Sequence, residues 1–385
     1  MEAEGGNFDG EVRGRLWDLS LTSGRYVEQA YEKADDRHGP GSEGMNRGFK
    51  NMTWNSLIKN KKVLFITTKN IDYIRVAQEI KILEEEASGY SVIGSDSMHY
   101  AVRLITVYWK LLFTRISGYD TVFLGFAPQL VFPVWGWKFR KRGLVIDFFL
   151  SLYDTLCCDR KWIKADSLPG KILHFLDKQV LHKADFILSD TRADGEYFCR
   201  EFQVESQKLS VLYLLADKNI YHPLNLPRPE RLRGKYIILY FGSVLPLQGT
   251  DIVLKAMERL KVYREMYFFF IGPASDKHIG VPIPRASNIE YIDWLPQEKL
   301  AEHIDMADLC LAGHFNAVVE KASRTIPGKA YIYQAMGKKM ILGENPANRE
   351  LFNNDKNVIF VEMGDDRALA EAIVEEWGKQ ELLNN

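Results

Sequence analysis

The sequence predicts an α/β protein with two doubly wound, Rossmann-like parallel-sheet domains that face a cleft. Short continuous apolar runs, typical of strands buried on both faces, alternate with segments of helical periodicity. The alternation occurs twice, before and after a proline-rich polar segment at residues 218–234. With 385 residues, the chain is long enough for two or three domains with cores of their own.

Composition shifts along the chain predict the domain boundaries. Residues 1–58 include a stretch rich in glycine and other breakers and show little sustained periodicity, which predicts a flexible N-terminal extension. Residues 59–217 form the first predicted domain. The proline-rich segment at residues 218–234 is the linker, and residues 235–385 form the second domain.

The first predicted domain contains five apolar runs of strand length. They cover Lys62–Thr67, Thr121–Gly125, Leu144–Asp147, Asp185–Asp190 and Leu209–Leu212. Helical periodicity covers Ile74–Glu86, Tyr100–Ile116, a segment from about Pro128, Lys171–Lys183 and Ala193–Phe202. The turn at residues 68–72 contains no glycine, so the dinucleotide fingerprint that follows the first Rossmann strand is absent. We therefore expect no dinucleotide in this domain.

The second predicted domain repeats the pattern. Its strands cover Tyr236–Phe241, Tyr267–Gly272, Ile289–Ile292, Asp308–Leu311, Lys339–Gly343 and Val358–Val361. Its helices cover Asp251–Leu260, Glu298–Met306, a segment that begins just after Pro327 and ends near Gly337, Pro346–Phe352 and Arg367–Trp377. Proline fits a helix start and glycine fits a left-handed cap at its end.

Polar residues follow several strands of the first domain, namely Asp147, Ser151, Asp154, Asp190 and Thr191. Ligands of parallel sheets bind beyond the carboxyl ends of the strands. These residues are therefore candidates for a substrate site. The alternative is that each one caps the helix that follows it.

A basic stretch in the second domain precedes one of its helices. Lys321, Arg324 and Lys329 lie within it, and no acid occurs between Glu320 and Glu344. The free N–H groups and positive dipole end of a helix N-terminus, with cations beside them, suit a phosphate. The alternative is a solvated basic loop before an ordinary core helix.

Composition narrows the class of protein. The net charge is −1, which argues against a nucleic-acid partner. The four cysteines and the scattered histidines show no ligand spacing, so no metal site is expected. The N-terminus is unlike a signal peptide, and the longest apolar run is interrupted by proline and glycine. We expect a cytoplasmic protein, at most peripheral on a membrane.

Several segments resemble a bacterial branch of the retaining glycosyltransferases of family 4, which adopt the GT-B architecture. In the second half they are Gly242-Ser-Val-Leu-Pro-Leu-Gln-Gly-Thr-Asp251, residues 293–300, the loop from Lys321 to Lys329, and residues 333–352. In the first half they are residues 126–129, 147–160 and 184–191. Their order across both halves, over roughly residues 60–380, carries the resemblance.

The resemblance implies an enzyme that transfers a sugar, with retention of configuration, from a nucleotide-diphosphate sugar to a saccharide or lipid-linked acceptor in surface polysaccharide or glycolipid synthesis. It implies no metal and no other cofactor. The implied catalytic residues are Lys321, Arg324 and Lys329 on the diphosphate and Asp154 near the acceptor hydroxyl. The implied donor-binding residues are Gly242, Ser243, Gln248, Gly249, Pro327, Tyr333 and Gln334. Those on the acceptor side are Gln129, Asp147, Ser151 and Tyr153.

Two departures from the family pattern keep alternatives open. The two glutamates that many members carry eight positions apart are matched here by Ile326 and Gln334. An arginine and a lysine of the donor half are matched by the neutral Ser243 and Gln248. The alternative function is a non-catalytic GT-B subunit that stabilises or targets an active glycosyltransferase. A sugar-nucleotide epimerase of similar architecture fits the basic loop less well.

Residues 100–142 combine basic and aromatic side chains. Seven basic residues and a single acid, Asp120, lie between Arg103 and Arg142. Val102–Phe113 predicts an amphipathic helix with basic flanks, a pattern that lies on anionic membrane surfaces. The alternative is a stripe that faces the core, with basic side chains that extend from its ends to solvent. The family resemblance favours the inner face of the plasma membrane.

Overall fold

A computed structural model describes residues 54–275 and 279–384 of the chain. Most of the predicted N-terminal extension, residues 1–53, lies outside the described residues. Residues 54–58 are well packed: Trp54 and Ile58 are buried, helix α1 covers Asn55–Ile58, and the Trp54 ring meets Phe123 edge-on at 6.4 Å between centroids. These five residues therefore belong to the folded part rather than to the extension.

The first sheet has six strands in the order β2-β1-β3-β4-β5-β6. The strands are β1 (Lys62–Ile66), β2 (Gly89–Ile93), β3 (Thr121–Leu124), β4 (Gly143–Asp147), β5 (Phe186–Ser189) and β6 (Leu209–Val211). The helices along this part of the chain are α2 (Ile74–Glu86), α3 (Tyr100–Phe113), α4 (Phe132–Phe139), α5 (Leu168–Lys183) and α6 (Arg192–Phe202). The neighbours from β2 to β5 pair in parallel.

Strand β2 is not among the predicted elements. It lies at the edge of the sheet, and its residues from Gly89 to Val92 are exposed or half-buried. Such a strand carries no continuous apolar run, which is the signal that identifies the buried strands β1 and β3. Helix α3 ends at Phe113, where the periodicity had predicted Ile116.

The second sheet also has six strands, in the order β12-β11-β10-β7-β8-β9, and all neighbours pair in parallel. The strands are β7 (Tyr236–Phe241), β8 (Met266–Ile271), β9 (Ile289–Ile292), β10 (Leu309–Gly313), β11 (Met340–Gly343) and β12 (Val358–Val361). The helices are α7 (Thr250–Leu260), α8 (Gln297–Met306), α9 (Lys321–Arg324), α10 (Gly328–Ala335), α11 (Pro346–Phe352) and α12 (Asp366–Asn384).

Side-chain burial follows from this topology. Strand β7 is buried along its whole length, and α7 and α12 pack their apolar faces into the same core as β7, β8 and β10. Helix α10 begins directly after Pro327, and Gly337 beyond its end has φ +65°, so both punctuation signals of this helix are confirmed. The predicted pair of doubly wound parallel sheets is likewise confirmed.

The chain divides into two compact units, and each unit takes several separate segments of the sequence. The predicted boundaries at residues 217 and 235 had placed a single continuous segment in each domain. The first unit takes the residues up to Leu152, Leu173–Ser189 and Phe202–Ser210. The second takes Tyr153–Ile172, Asp190–Glu201 and the chain from Val211 onward. Asp154, Asp190 and Thr191, which follow strands of the first half in sequence, therefore pack with the second unit. Within the described residues, no helix combines the length and apolar character needed to cross a bilayer.

Candidate functional site

A buried amine lies near two strand ends of the second unit. Lys329 is the second residue of α10, it is 5% exposed, and its Nζ has no hydrogen-bond partner among the described residues. The amine lies 4.0 Å from the centroid of the Tyr240 ring. Burial lowers the pKa of Lys329 well below its usual value. A buried amine without a partner is a candidate site for an anionic ligand.

Glycines let the backbone approach this amine. Gly242, just after β7, has φ +147°, and Gly313, the last residue of β10, has φ +90°. If Gly242 carried a Cβ atom, that atom would lie 3.0 Å from Lys329 Nζ, and a Cβ atom on Gly313 would lie 3.4 Å from it. A Cβ atom on Gly313 would also lie 3.0 Å from the Oε1 of Gln248. Like the Lys329 amine, this oxygen is buried without a partner among the described residues. The two strand ends, the amine and this amide thus surround one location.

The structure places Arg324 in an internal ion-pair cluster. Its Nη2 lies 2.8 Å from Asp154 Oδ1, its Nη1 pairs with Asp194, and its guanidinium stacks 3.6 Å from the centroid of the Tyr197 ring. Burial by itself would lower the pKa of Arg324, but Asp194 and Asp154 raise it above its usual value. Arg324 is therefore held by protein carboxylates in this structure. Direct contact between Arg324 and a phosphate stays a prediction.

Lys321 lies beside the same carboxylate. Its Nζ is 3.5 Å from Asp154 Oδ2 and 3.2 Å from Thr155 Oγ1, and its side chain is 14% exposed. Asp154 begins a π-helical turn, Asp154–Asp159, so this turn meets helix α9 through two basic side chains. The sequence placed Lys321, Arg324 and Asp154 in one site, and the structure brings these three residues together.

His314 belongs to this neighbourhood, although no pattern in the sequence singles it out. It directly follows β10 with φ +33°, and its Nδ1 donates to the Thr325 carbonyl at 2.9 Å. Burial, reinforced by Lys329 and Lys321, lowers the pKa of His314 to about 3, so the ring is neutral at physiological pH. The predicted strand ended at Leu311, two residues early, which hid this histidine's position at the sheet edge.

Of the other predicted donor-binding residues, Gln334 is exposed, and the remaining four are buried or half-buried. Gly249 is buried with φ +65°, and Tyr333 is buried with its ring edge-on to Phe241 at 5.5 Å. Ser243 is half-buried just after Gly242, and Pro327 precedes α10. Gln334 is exposed, and its Nε2 lies 3.4 Å from Asp355. Because it follows Lys329 by five residues, Gln334 is about 140° away around the helix and points away from the amine.

The predicted acceptor-side residues make internal contacts. In the first unit, Gln129 Nε2 donates to the Leu150 carbonyl at 2.6 Å, and Ser151 Oγ donates to Asp177 at 2.7 Å. Asp147 forms a fully buried ion pair with Arg75. The fourth residue, Tyr153, is half-buried and lies in the second unit. Their contact with an acceptor stays a prediction. No cluster of three potential metal-ligating side chains occurs in the described parts of the chain.

Comparison with known proteins relates the second unit to a large family. Residues 235–377 match the model of the family described as glycosyl transferases group 1. D-inositol 3-phosphate glycosyltransferase of Corynebacterium glutamicum (strain R) is 19% identical over an alignment of 269 residues that covers 64% of this chain. The chain spans 62% of the length of that relative.

Solved structures share the fold. Sucrose-phosphate synthase from Thermosynechococcus elongatus superposes with a TM-score of 0.57 at 13% identity, over 83% of this chain and 90% of that one. HepE from Anabaena, solved in complex with UDP-glucose, superposes with a TM-score of 0.55 at 13% identity, over 83% of this chain and 91% of that one. The two-domain Rossmann-like α/β fold is confirmed.

Proposed function

We propose that this chain is a glycosyltransferase that moves a sugar from a nucleotide-diphosphate donor to a saccharide or lipid-linked acceptor, with retention of configuration. The observation that carries the proposal is the buried amine of Lys329, which lacks a partner among the described residues and lies beside the ends of β7 and β10. This location falls within the segment that matches group 1 glycosyltransferases. The UDP-glucose in HepE supports a nucleotide-sugar donor.

The proposed chemistry is electrostatic. When the bond between sugar and diphosphate breaks, negative charge develops on the leaving oxygen, and preorganised donors in a dry site stabilise it. Lys329 supplies the cation, and the N–H groups of the first turn of α10 and of Ser243 supply dipoles, whereas the Gly242 N–H already donates to the Ile271 carbonyl at 2.9 Å. The diphosphate itself takes the acceptor proton on the face that the donor sugar occupies. This route needs no protein nucleophile and no metal.

Arg324 and Asp154 act indirectly in this proposal. Their ion pair, together with Asp194, fixes the loop that leads from α9 to Pro327 and hence the start of α10. A rigid supporting shell of this kind keeps the donors of a site in place. Arg324 is thus a positioning residue, and Lys321, which is partly exposed beside it, is the second cation available to the phosphates.

The proposed setting is surface polysaccharide or glycolipid synthesis in a bacterium, at the cytoplasmic face of the membrane. Acceptors in such pathways are carried on lipids, so a peripheral enzyme meets them at the bilayer surface. The family resemblance and the basic, aromatic character of residues 100–142 support this setting.

Calorimetric titration with UDP, GDP, dTDP and CDP, first without metal and then with magnesium, tests the donor site. We expect one nucleotide to bind, with an affinity that magnesium does not change. Release of free nucleotide from the matching sugar nucleotide only when an acceptor is present would identify a transferase and exclude an epimerase. Binding that requires magnesium would contradict the metal-independent chemistry.

A non-catalytic subunit is the second candidate. Ser243 and Gln248 bring no charge to the site, position 326 is an isoleucine, and Gln334 points away from Lys329. A protein that has lost its donor site keeps the fold but binds none of the four nucleotides. The absence of any binding in the titration would therefore favour a partner that stabilises or targets an active glycosyltransferase.

A further inference from the structure

Helix α3 exposes a stripe of large apolar side chains. Its inner face packs against the first sheet through fully buried residues such as Val107 and Leu111. Its outer face exposes Ile105 by 68%, Trp109 by 65% and Phe113 by 69%. The outer stripe, spaced mainly by three and four residues, is Val102, Ile105, Trp109, Leu112 and Phe113, and the exposed Met98 lies just before the helix.

This stripe departs from the usual pattern of a helix on a soluble domain. Such a helix places charged and polar residues on the face opposite its core stripe. Helix α3 contains no acid, Arg103 is buried, and the Lys110 amine donates to the Gly94 carbonyl at 2.8 Å. Contiguous exposed apolar surface of this kind marks an interaction site.

Basic side chains gather at the C-terminal end of the stripe. A shallow cavity of about 480 Å³ lies there, lined by Thr114, Arg115, Ile116, Ser117, Trp137, Lys138, Arg140, Lys141 and Arg142. The Lys138 amine donates to the carbonyls of Leu111 at 2.7 Å and Leu112 at 3.0 Å, which fixes α4 against the end of α3. Trp137, 61% exposed, adds a further ring beside these cations. Stripe and cavity therefore form one continuous surface.

The charge of this surface is strongly positive, although the whole chain carries −1. Between Arg103 and Arg142 the only acid is Asp120, and its carboxylate accepts the backbone N–H of Lys62 at 2.9 Å. Within the described chain, no carboxylate pairs with the exposed Arg140 or Lys141. The surface thus combines unneutralised cations with exposed aromatic rings.

We propose that this surface, the α3 stripe together with the basic cavity, docks on an anionic lipid bilayer. Exposed Trp and Phe side chains enter the interface between headgroups and acyl chains, and lysines and arginines contact the lipid phosphates. A second copy of the chain is a poorer occupant, because pairing this surface with itself brings like charges together. The proposal deepens the membrane setting proposed above by naming the surface and the lipid charge that it binds; it concerns the first unit alone and holds whether or not the second unit binds a nucleotide.

Co-sedimentation with phosphatidylcholine vesicles, with and without phosphatidylglycerol, tests the wild-type protein. We expect binding to the anionic vesicles at low salt, weak binding to pure phosphatidylcholine, and partial loss at high salt, because salt screens the charge contribution but not the apolar one. Equal binding to both kinds of vesicle, or no binding to either at low salt, would overturn the proposal without recourse to any variant.

Two double variants separate the contribution of charge to vesicle binding from that of exposed apolar side chains. Arg140→Gln with Lys141→Gln should weaken binding at low salt by about 25-fold, since each cation near the surface contributes about fivefold. Trp109→Ser with Phe113→Ser should weaken it at least about tenfold at both salt concentrations. The matched controls lie in the second unit: Arg285→Gln with Lys356→Gln for charge, and Trp294→Ser with Val262→Ser for exposed apolar surface.

The controls should bind as the wild type does, and circular dichroism melting confirms that each variant is folded. A folded Trp109→Ser, Phe113→Ser variant that keeps full vesicle binding would overturn the proposal. So would light scattering that shows a wild-type dimer which these two substitutions dissociate, because the stripe would then be covered by a second copy.

Discussion

Lys329 places its amine where a positive charge is costly to keep. Desolvation of an ammonium group destabilises a folded protein unless an opposite charge or hydrogen bonds compensate it. Here the described residues offer the amine the face of the Tyr240 ring at 4.0 Å and no hydrogen-bond acceptor. A residue that destabilises the free protein in this way suits a ligand-binding role, because the ligand supplies the missing partner.

We expect Lys329→Met to weaken nucleoside-diphosphate binding by about 1.5–3 kcal/mol, the contribution of a charge-assisted hydrogen bond, and to raise the stability of the free protein. Methionine has a similar volume and needs no desolvation of charge. Calorimetric titration gives the affinity, and urea unfolding gives the stability.

Lys338→Met is the matched control, because Lys338 uses its amine structurally. It donates to the Ala307 carbonyl at 3.1 Å and to that of Asp305. Its loss should lower the stability and leave nucleotide affinity unchanged. Unchanged affinity in a folded Lys329→Met protein would remove Lys329 from the donor site.

Arg324→Met is expected to destabilise the protein by about 3–5 kcal/mol, because it leaves Asp154 and Asp194 buried without their cation. Urea unfolding measures the loss. Arg233→Met, which removes an arginine from the exposed pair with Glu230, should leave the stability unchanged. If Arg324→Met were as stable as the wild type and only its nucleotide affinity fell, Arg324 would be a phosphate ligand rather than a positioning residue.

At the scale of elements, helix α2 brings a carboxyl group to a buried ion pair. Arg75 donates to both carboxylate oxygens of Asp147, through Nη2 at 2.8 Å and Nε at 3.2 Å. Glu79, one turn further along α2, is fully buried beside them. Burial first, and the Asp147 charge second, raise the pKa of Glu79 well above its usual value. The packing of α2 on the sheet therefore favours a protonated Glu79.

Glu79→Gln should stabilise the protein more as the pH rises. A carboxyl group whose folded-state pKa is raised contributes stability below its unfolded-state pKa and loses it as the pH rises toward the folded value. Glutamine does not titrate, so its advantage grows by up to about 1.4 kcal/mol per pH unit above about pH 5. Urea unfolding at a series of pH values measures this. Parallel stability curves for wild type and variant, with Glu85→Gln as the surface control on α2, would contradict it.

The strands and helices that could be predicted are those whose signals are local. Continuous apolar runs identify β1 and β7, and a proline and a glycine delimit α10. The pairing partners of site residues are not local. Asp194 follows Thr191 on a helix of the first half of the chain, yet its carboxylate meets Arg324 in the second half. The Glu350 carboxylate likewise accepts the N–H groups of Arg192 and Ala193. No periodicity in a single sequence encodes such contacts.

At the scale of the whole molecule, the face on which apolar and basic residues lie matters more than how many of them a segment contains. The sequence shows that residues 100–142 are basic and aromatic, and it allows either a stripe that faces the core or one that faces a membrane. The structure shows apolar residues on both sides of α3, with Val107 inside and Trp109 outside. The stripe that faces the core is therefore confirmed, and contact of the second, exposed stripe with a membrane stays a prediction. Periodicity alone cannot show what a second apolar face of a helix contacts, because packing of the first apolar face on the core already explains the pattern.

Binding of the proposed diphosphate is coupled to protonation of the Lys329 amine, because the fold buries this amine. Burial lowers the pKa of this amine in the free protein, and a diphosphate beside it raises the pKa again, so ligand binding takes up a proton wherever the pH lies between the two pKa values. His314, the nearby ring, has its pKa lowered to about 3 and stays neutral throughout the accessible pH range. The affinity should therefore fall, by up to tenfold per pH unit, once the pH exceeds the lowered pKa of Lys329.

Calorimetric titration in two buffers of different ionisation enthalpy measures this uptake directly. Above about pH 7.5 the second ionisation of the phosphate, near pH 6, contributes little. We expect the observed enthalpy of nucleoside-diphosphate binding to differ between the buffers, with an uptake that grows toward one proton per ligand as the pH rises. In Lys329→Met the residual binding should show no such difference. A buffer-independent enthalpy for the wild type over the whole range would contradict the proton uptake, and with it the contact between a protonated Lys329 and the diphosphate.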